Sequence, residues 1–174
     1  MKNSNTIKSI YLYSICLFFC QNLFSQTPIN VIQSNELNQT IINDTIFQKF
    51  SGDVIIQYSD LKIMCDTILI DEHKVLLRGW GNTNIFNDTI DCKTDSININ
   101  QFKNTLFLYK NTVVKTNNMI ISSDECEYNY ESNHFKYFNG GSVQTNNYNI
   151  TSQTFTYDLE NEFSQFDSLV NLTT

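Results

Sequence analysis

The sequence predicts an all-β fold, an elongated stack of strands built from 29-residue repeats, and three observations predict it. First, Gly52, Gly81, Lys110, Asn139 and Ser168 fall 29 residues apart; a fixed period of this size marks one supersecondary unit copied and stacked. Second, apolar residues recur at every second position, as in Val54, Ile56 and Tyr58 or Ile97 and Ile99, which is the pattern of half-buried strands. Third, Ile, Val, Thr, Tyr and Phe abound while Ala is absent, so helix propensity is poor along the whole chain.

The register holds in several columns. Four residues after each repeat start stand Ile56, Ile85, Val114 and Val143, and eleven after stand Ile63, Cys92, Ile121 and Ile150. Sixteen after come Ile68, Ile97, Cys126 and Phe155, and eighteen after come Ile70, Ile99, Tyr128 and Tyr157. Fourteen after come Asp66, Asp95, Asp124 and then Gln153, each preceded by a small residue: Cys65, Thr94, Ser123 and Ser152. Polar pieces between the apolar runs, Asp71-Glu72-His73, Asn87-Asp88, Asn117-Asn118 and Asn146-Asn147, read as turns. Each unit is thus expected to hold about three short strands with polar corners. The residues leave open whether strands stack in parallel at the repeat period or pair antiparallel.

Residues 1–25 read as a secretory signal peptide. Lys2 and Lys8 precede an apolar run from Ile10 to Phe19, and Ser25 before Gln26 offers a cleavage point. The run is short for a spanning helix, and Phe19 stands before Cys20 where a lipid-attachment box wants a small residue. Residues 26–174 then form one exported domain, soluble once cleaved. Cys16 and Cys20 leave with the signal, and the remaining Cys65, Cys92 and Cys126 sit on small or apolar columns and read as buried hydrophobes. A Cys65–Cys92 bridge is the alternative.

Charge narrows the partners. The chain carries −7, and removal of Lys2 and Lys8 takes it to −9, with aromatic residues not interleaved with Arg or Lys. Phosphate-contact binding of nucleic acid is therefore not expected. His73 and His134 occupy different repeat offsets and form no repeated ligand pair, and no HExxH, GxSxG, CxxC or phosphate-loop motif occurs. Glu125-Cys126-Glu127 reads as a strand with solvated edges. The Asp66, Asp95 and Asp124 column reads as a corner in which each carboxylate caps backbone N–H groups. No catalytic residue, metal site or cofactor is expected.

The apolar columns are what remain. The lining they define comprises Ile56, Leu61, Ile63, Ile68, Ile70, Ile85, Ile90, Ile97, Ile99, Val114, Met119, Ile121, Ile150, Phe155 and Tyr157, with Leu106, Leu108, Phe135, Tyr137 and Tyr148 continuing it. Two facing sheets about 10 Å apart would bury these residues as an ordinary sandwich core. Splayed sheets would turn the same stripe into a greasy slot suited to acyl chains.

Gly52-Asp53-Val54, then Cys65-Asp66-Thr67-Ile68, then Gly81-Asn82-Thr83 resemble the G-N-V … A-D pattern of the OstA-like family. Tyr137-Phe138-Asn139-Gly140-Gly141 with Tyr157-Asp158 is similar to Bacteroidetes-type versions of that domain. The resemblance covers roughly residues 30 to 172. It implies a β-jellyroll, or taco, whose interior binds the lipid A acyl chains of lipopolysaccharide, and a place in periplasmic lipopolysaccharide transport toward the outer membrane. It also implies partnership with other lipopolysaccharide-transport β-jellyroll proteins and head-to-tail joining by edge strands, for which Val31 and Ile32 at one end and Val170 and Leu172 at the other are the expected edges. Lys110 and Asn139 depart from the family's glycine, Gln153 from its aspartate, and Cys65, Thr94 and Ser123 from its usual alanine. The competing readings are a structural β-solenoid or adhesin-like protein without a lipid slot, an amino-terminal fragment of a larger outer-membrane assembly protein, and an outer-membrane-associated location.

Overall fold

Strand follows strand through residues 29–71 and 76–174, which the computed structural model describes; the stretch expected to be a signal peptide, with Cys16 and Cys20, and His73 lie outside the described residues. The order is β1 (Ile29–Gln33), β2 (Glu36–Ile42), β3 (Thr45–Tyr58), β4 (Leu61–Asp71), β5 (Leu76–Phe86), β6 (Asp91–Asn100) and β7 (Thr105–Lys115). There follow β8 (Ile120–Asn129), β9 (His134–Gln144), β10 (Asn149–Ser152), β11 (Thr154–Asp158), β12 (Phe163–Asp167) and β13 (Asn171–Thr173). All belong to one sheet, and every pairing is antiparallel. The 29-residue period is therefore two strand lengths of a meander rather than three short strands or a parallel stack.

Side chains bond the turns at the expected places. Asn87 Oδ1 accepts from the N–H of Thr89 and of Ile90, each at 2.9 Å. Thr116 Oγ1 accepts from Met119 N–H at 3.3 Å, and Thr145 Oγ1 from Tyr148 N–H at 3.0 Å. Such local bonds substitute for the ladder where the chain reverses.

The repeat start is a corner in mid-strand. Gly52-Asp53, Gly81-Asn82, Lys110-Asn111, Asn139-Gly140 and Ser168-Leu169 all have positive φ at both residues. Each of the first four pairs sets two residues against one: Gly52-Asp53 lies opposite Asp66, Gly81-Asn82 opposite Asp95, and both Lys110-Asn111 and Asn139-Gly140 opposite Asp124. These are bulges, which bend a strand sharply. They also reset its phase. In β4 the inward residues are Ile63 and Cys65 before the corner but Ile68 and Ile70 after it, so both halves of the strand show their apolar side to the same interior.

The Asp column is thereby placed differently from the expectation. Asp66, Asp95 and Asp124 are exposed and stand on alternate strands. Asp124 Oδ1 does cap a backbone group, accepting from Asn111 N–H at 3.0 Å. Asp66 and Asp95 instead accept from side-chain amides, Asn82 Nδ2 at 3.1 Å and Asn111 Nδ2 at 2.9 Å. The small residue before each aspartate, and before Gln153 in the fourth unit, faces inward and bonds carbonyls at the corner. Cys65 Sγ–H donates to Thr67 O at 3.3 Å, Thr94 Oγ1 lies 3.1 Å from Tyr109 O, Ser123 Oγ–H donates to Gly140 O at 2.7 Å, and Ser152 Oγ–H to Thr154 O at 2.8 Å. Alanine could make none of these bonds.

Lys110 departs from glycine yet keeps the corner, at φ 62°. A non-glycine residue there costs about 1–2 kcal/mol of backbone strain, offset by about 0.5–1 kcal/mol of glycine's extra unfolded-chain entropy. Lys110→Gly is therefore expected to raise stability by about 0.5–1 kcal/mol, read as a melting temperature higher by about 1–4 °C. A lower melting temperature would show that the lysine side chain itself holds the corner.

Bent at these corners, the sheet curls into two layers. The first carries residues 54–58, 61–65, 83–86, 91–94, 112–115, 120–123 and 141–144 with β1, β10 and β13; the second carries the other strand halves with β2, β11 and β12. Their apolar faces meet in one core running from Ile29 to Tyr157.

Candidate functional site

The interior between the layers gathers the lining residues that the sequence singles out. Ile56, Leu61, Ile63, Ile85, Ile90, Val114 and Ile121 come from the first layer, and Ile68, Ile70, Ile97, Ile99, Phe155 and Tyr157 from the second; all are buried. Met119 and Ile150 are half-buried, near the carboxyl end of the first layer. Tyr148 is not part of the core: it is 46% exposed in the β9–β10 turn. Tyr58, Leu77, Tyr128 and Val143 complete the interior.

Among the described residues this interior is packed shut. Where the layers part, the cavity is about 10 Å³, lined by Ile85, Ile90, Cys92 and Val114 of one layer and Leu106, Leu108, Tyr128 and Phe135 of the other. That is room for about one water molecule. An acyl chain fits only if the layers separate.

The corner forms one long side of the interior and the two rims of hairpin turns form the other. Tyr58, at the first rim, meets Tyr130, at the second, with ring centroids 5.3 Å apart and edge to face. Their hydroxyls are hydrogen-bonded at 2.5 Å. Tyr130 O–H donates to Asn104 Oδ1 at 2.9 Å, so Tyr58 is the donor of the pair. Burial pushes the Tyr58 phenol up, and the bond to Tyr130 adds to the shift, so it stays protonated at neutral pH. Tyr128, whose hydroxyl donates to Asn133 Oδ1 at 2.9 Å, is pushed up to about 12 by burial and by the nearby Asp60.

Both ends of the stack expose apolar edges. At the amino-terminal end Leu37, Ile41 and Ile46 are 57%, 72% and 39% exposed on β2 and β3, and Ile32 is exposed on β1 beside the half-buried Val31. At the carboxyl end Leu172 faces Ile150 across β13 and β10 and is exposed, as is Phe163 on β12. Val170 differs from the expectation: it lies before β13, outside the ladder, because Ser168-Leu169 makes the fifth corner. Sequence reasoning missed β2 and β12, the second-layer edges, which lie outside the clearest columns.

The remaining polar candidates do not converge. Cys65, Cys92 and Cys126 are buried and free, so the Cys65–Cys92 bridge does not form. Burial pushes the Cys65 and Cys126 thiols up to about 12 and that of Cys92 up as well. His134 is exposed, 3.6 Å from Asp158. Glu125 and Glu127 flank the inward Cys126 and face out. Among the described residues no three His, Cys, Asp or Glu side chains cluster to hold a metal.

None of the curated proteins matches the chain. Among solved structures it is similar to LptH of Pseudomonas aeruginosa, described as the LptA homologous periplasmic component of the lipopolysaccharide transport device, at 10% identity and a TM-score of 0.36, over 85% of this chain and 95% of that one. Residues 26–174 match the family described as OstA-like protein. With that match spanning most of its length, the chain belongs to the OstA-like family.

Proposed function

We propose that the protein works in the periplasm as a lipopolysaccharide-transport protein, holding lipid A acyl chains between its two layers on the way to the outer membrane. The observation that carries this reading is the continuous apolar interior, lined along its length by Ile, Leu, Val and aromatic side chains from both layers. Membership in the OstA-like family supports it, as does the printed description of LptH as part of a lipopolysaccharide transport device. Each methylene moved from water to such an interior gains about 0.8 kcal/mol, which a chain of several methylenes can set against the cost of parting the layers. No step in this reading needs a catalytic group.

Half-buried Met119 and Ile150 suit photoreactive side chains, since substitution there leaves the packed centre intact. Illumination of cells carrying a photoreactive residue at either position is expected to link the protein to lipopolysaccharide. Folded protein that gives no such adduct would sink the reading and favour its rival, a structural β-stack with a filled core, which the closed cavity favours.

The exposed edges suit joining to further β-jellyroll domains, this chain's own copies included. Unpaired strand edges offer N–H and C=O groups to another chain, and unlike edges at opposite ends join head to tail without closing. Light scattering over a concentration series should show growing filaments. Leu172→Lys or Ile41→Lys should leave monomers of unchanged stability, because both side chains are exposed. A wild type that stays monomeric at high concentration would remove self-assembly from the proposal while leaving other partners possible.

A further inference from the structure

A closed interior needs a place to open. The corner side is held by the two-on-one bulges and by the inward hydroxyls that bond their carbonyls, as Thr94 and Ser123 do. Each rim is also tied within its own layer: Asn87 Nδ2 donates to Asp60 at 2.5 Å along the first, and Asn104 Nδ2 to Glu131 along the second. Between the rims the situation differs. Among the described residues, Tyr58 to Tyr130 is the one hydrogen bond that joins rim to rim.

We propose that the Tyr58–Tyr130 pair is the latch of a lateral opening, through which a single acyl chain is loaded from the side into the cavity that Tyr128 lines. This rests on the lipid-binding reading and adds to it the route and its gate. Three features converge on the site. The pair spans 72 residues of sequence, so it forms only when the layers are closed. Its far end is anchored, Tyr130 donating through its hydroxyl to Asn104 Oδ1 and through its N–H to Asn104 O at 3.0 Å, so the rim swings as a unit. Tyr128, two residues along β8, faces the cavity, while its own hydroxyl is held by Asn133 at the second rim. An acyl chain arriving at the rim replaces an edge-to-face ring contact with its own apolar contact and leaves each phenol free to bond water, so little polar cost accompanies the exchange. Both phenols stay protonated at neutral pH, so displacement rather than titration opens the latch.

The test follows uptake of a long-chain fatty acid carrying a polyene fluorophore by the full mature chain. Tyr58→Phe removes the bond, keeps the ring and is expected to load about five-fold faster, the factor that loss of one neutral hydrogen bond is worth; Tyr130→Phe also removes the bond to Asn104 and is expected to load at least as fast. The Tyr58→Cys/Tyr130→Cys double variant, bridged by a short bismaleimide, is expected to load at least ten-fold more slowly than the same variant unbridged. Reagent-treated wild type is the control, its three native thiols being buried. Bridged protein that loads at the unbridged rate overturns the latch and directs the chains through the ends, with lipid binding intact. Absence of uptake by wild type and unbridged protein alike would overturn the lipid reading, and the latch with it.

Discussion

Ile97→Asp is expected to leave the protein unfolded. Ile97 is 1% exposed in the middle of the second layer, between Gly79 on β5 and Leu108 on β7. A Cβ built on Gly79 would already lie 3.1 Å from Ile97 Cγ1, so the two strands meet here with no spare room. Removing the buried isoleucine costs about 2–5 kcal/mol through lost transfer energy and the space left behind. The carboxylate must then be buried unpaired or protonated, which adds several more. The total approaches or exceeds the roughly 5–15 kcal/mol by which domains of this kind are stable. Far-ultraviolet circular dichroism of the purified variant would show a lost β signal; a native spectrum with an unchanged urea midpoint would mean that the interior opens readily to water at this point. The same arithmetic makes charge substitution in the centre unsuitable as a probe of lipid binding, because it reports folding first.

What the sequence reveals, and what it hides, divides along the corner. The columns at Ile56, Ile63, Ile68 and Ile70 announce the strands and the inward face, because a two-residue period and a 29-residue repeat are local facts. The two-on-one bulge is harder to see. Its requirement is a pair of positive-φ residues, and Asn82, Lys110, Asn111 and Asn139 meet it as well as Gly52 does, so a glycine pattern fades while the geometry persists. The abundance of Asn is itself the clue, since Asn tolerates the left-handed region better than most residues. The antiparallel pairing follows from reading the period as two strand lengths, which residue columns alone cannot separate from a parallel stack. The edges β2 and β12 and the Tyr58–Tyr130 contact depend on how the curled sheet ends and closes. Nothing at Tyr130 marks it, for the corresponding positions hold Gln101 and Leu159.

Gly81→Ala should be far more damaging than Gly140→Ala, and the comparison shows why. Both glycines have positive φ, +80° and +100°, so each alanine bears the backbone strain of about 1–2 kcal/mol. They differ in what the new methyl meets. At Gly140 nothing lies within 4 Å. At Gly81 the methyl would stand 2.3 Å from Asp66 Oδ2 and 2.8 Å from Asp66 Cβ and Cγ, closer than carbon atoms approach. Asp66 could swing its carboxylate aside, but it would lose the bonds to Asn82 Nδ2 at 3.1 and 3.3 Å, and its Cβ would still collide. The backbone must then shift at the place where β4 and β5 both bend. Overpacking of this kind costs about 1–3 kcal/mol beyond the strain. With about 0.5–1 kcal/mol of glycine's unfolded-chain entropy set against the strain at both sites, Gly81→Ala is expected to lose about 1.5–4 kcal/mol and Gly140→Ala about 0.5–1 kcal/mol by urea denaturation. Equal losses at the two sites would mean that the Asp66 contact relaxes freely. The corner would then owe its shape to the left-handed backbone alone rather than to the fit between each positive-φ pair and the aspartate it faces.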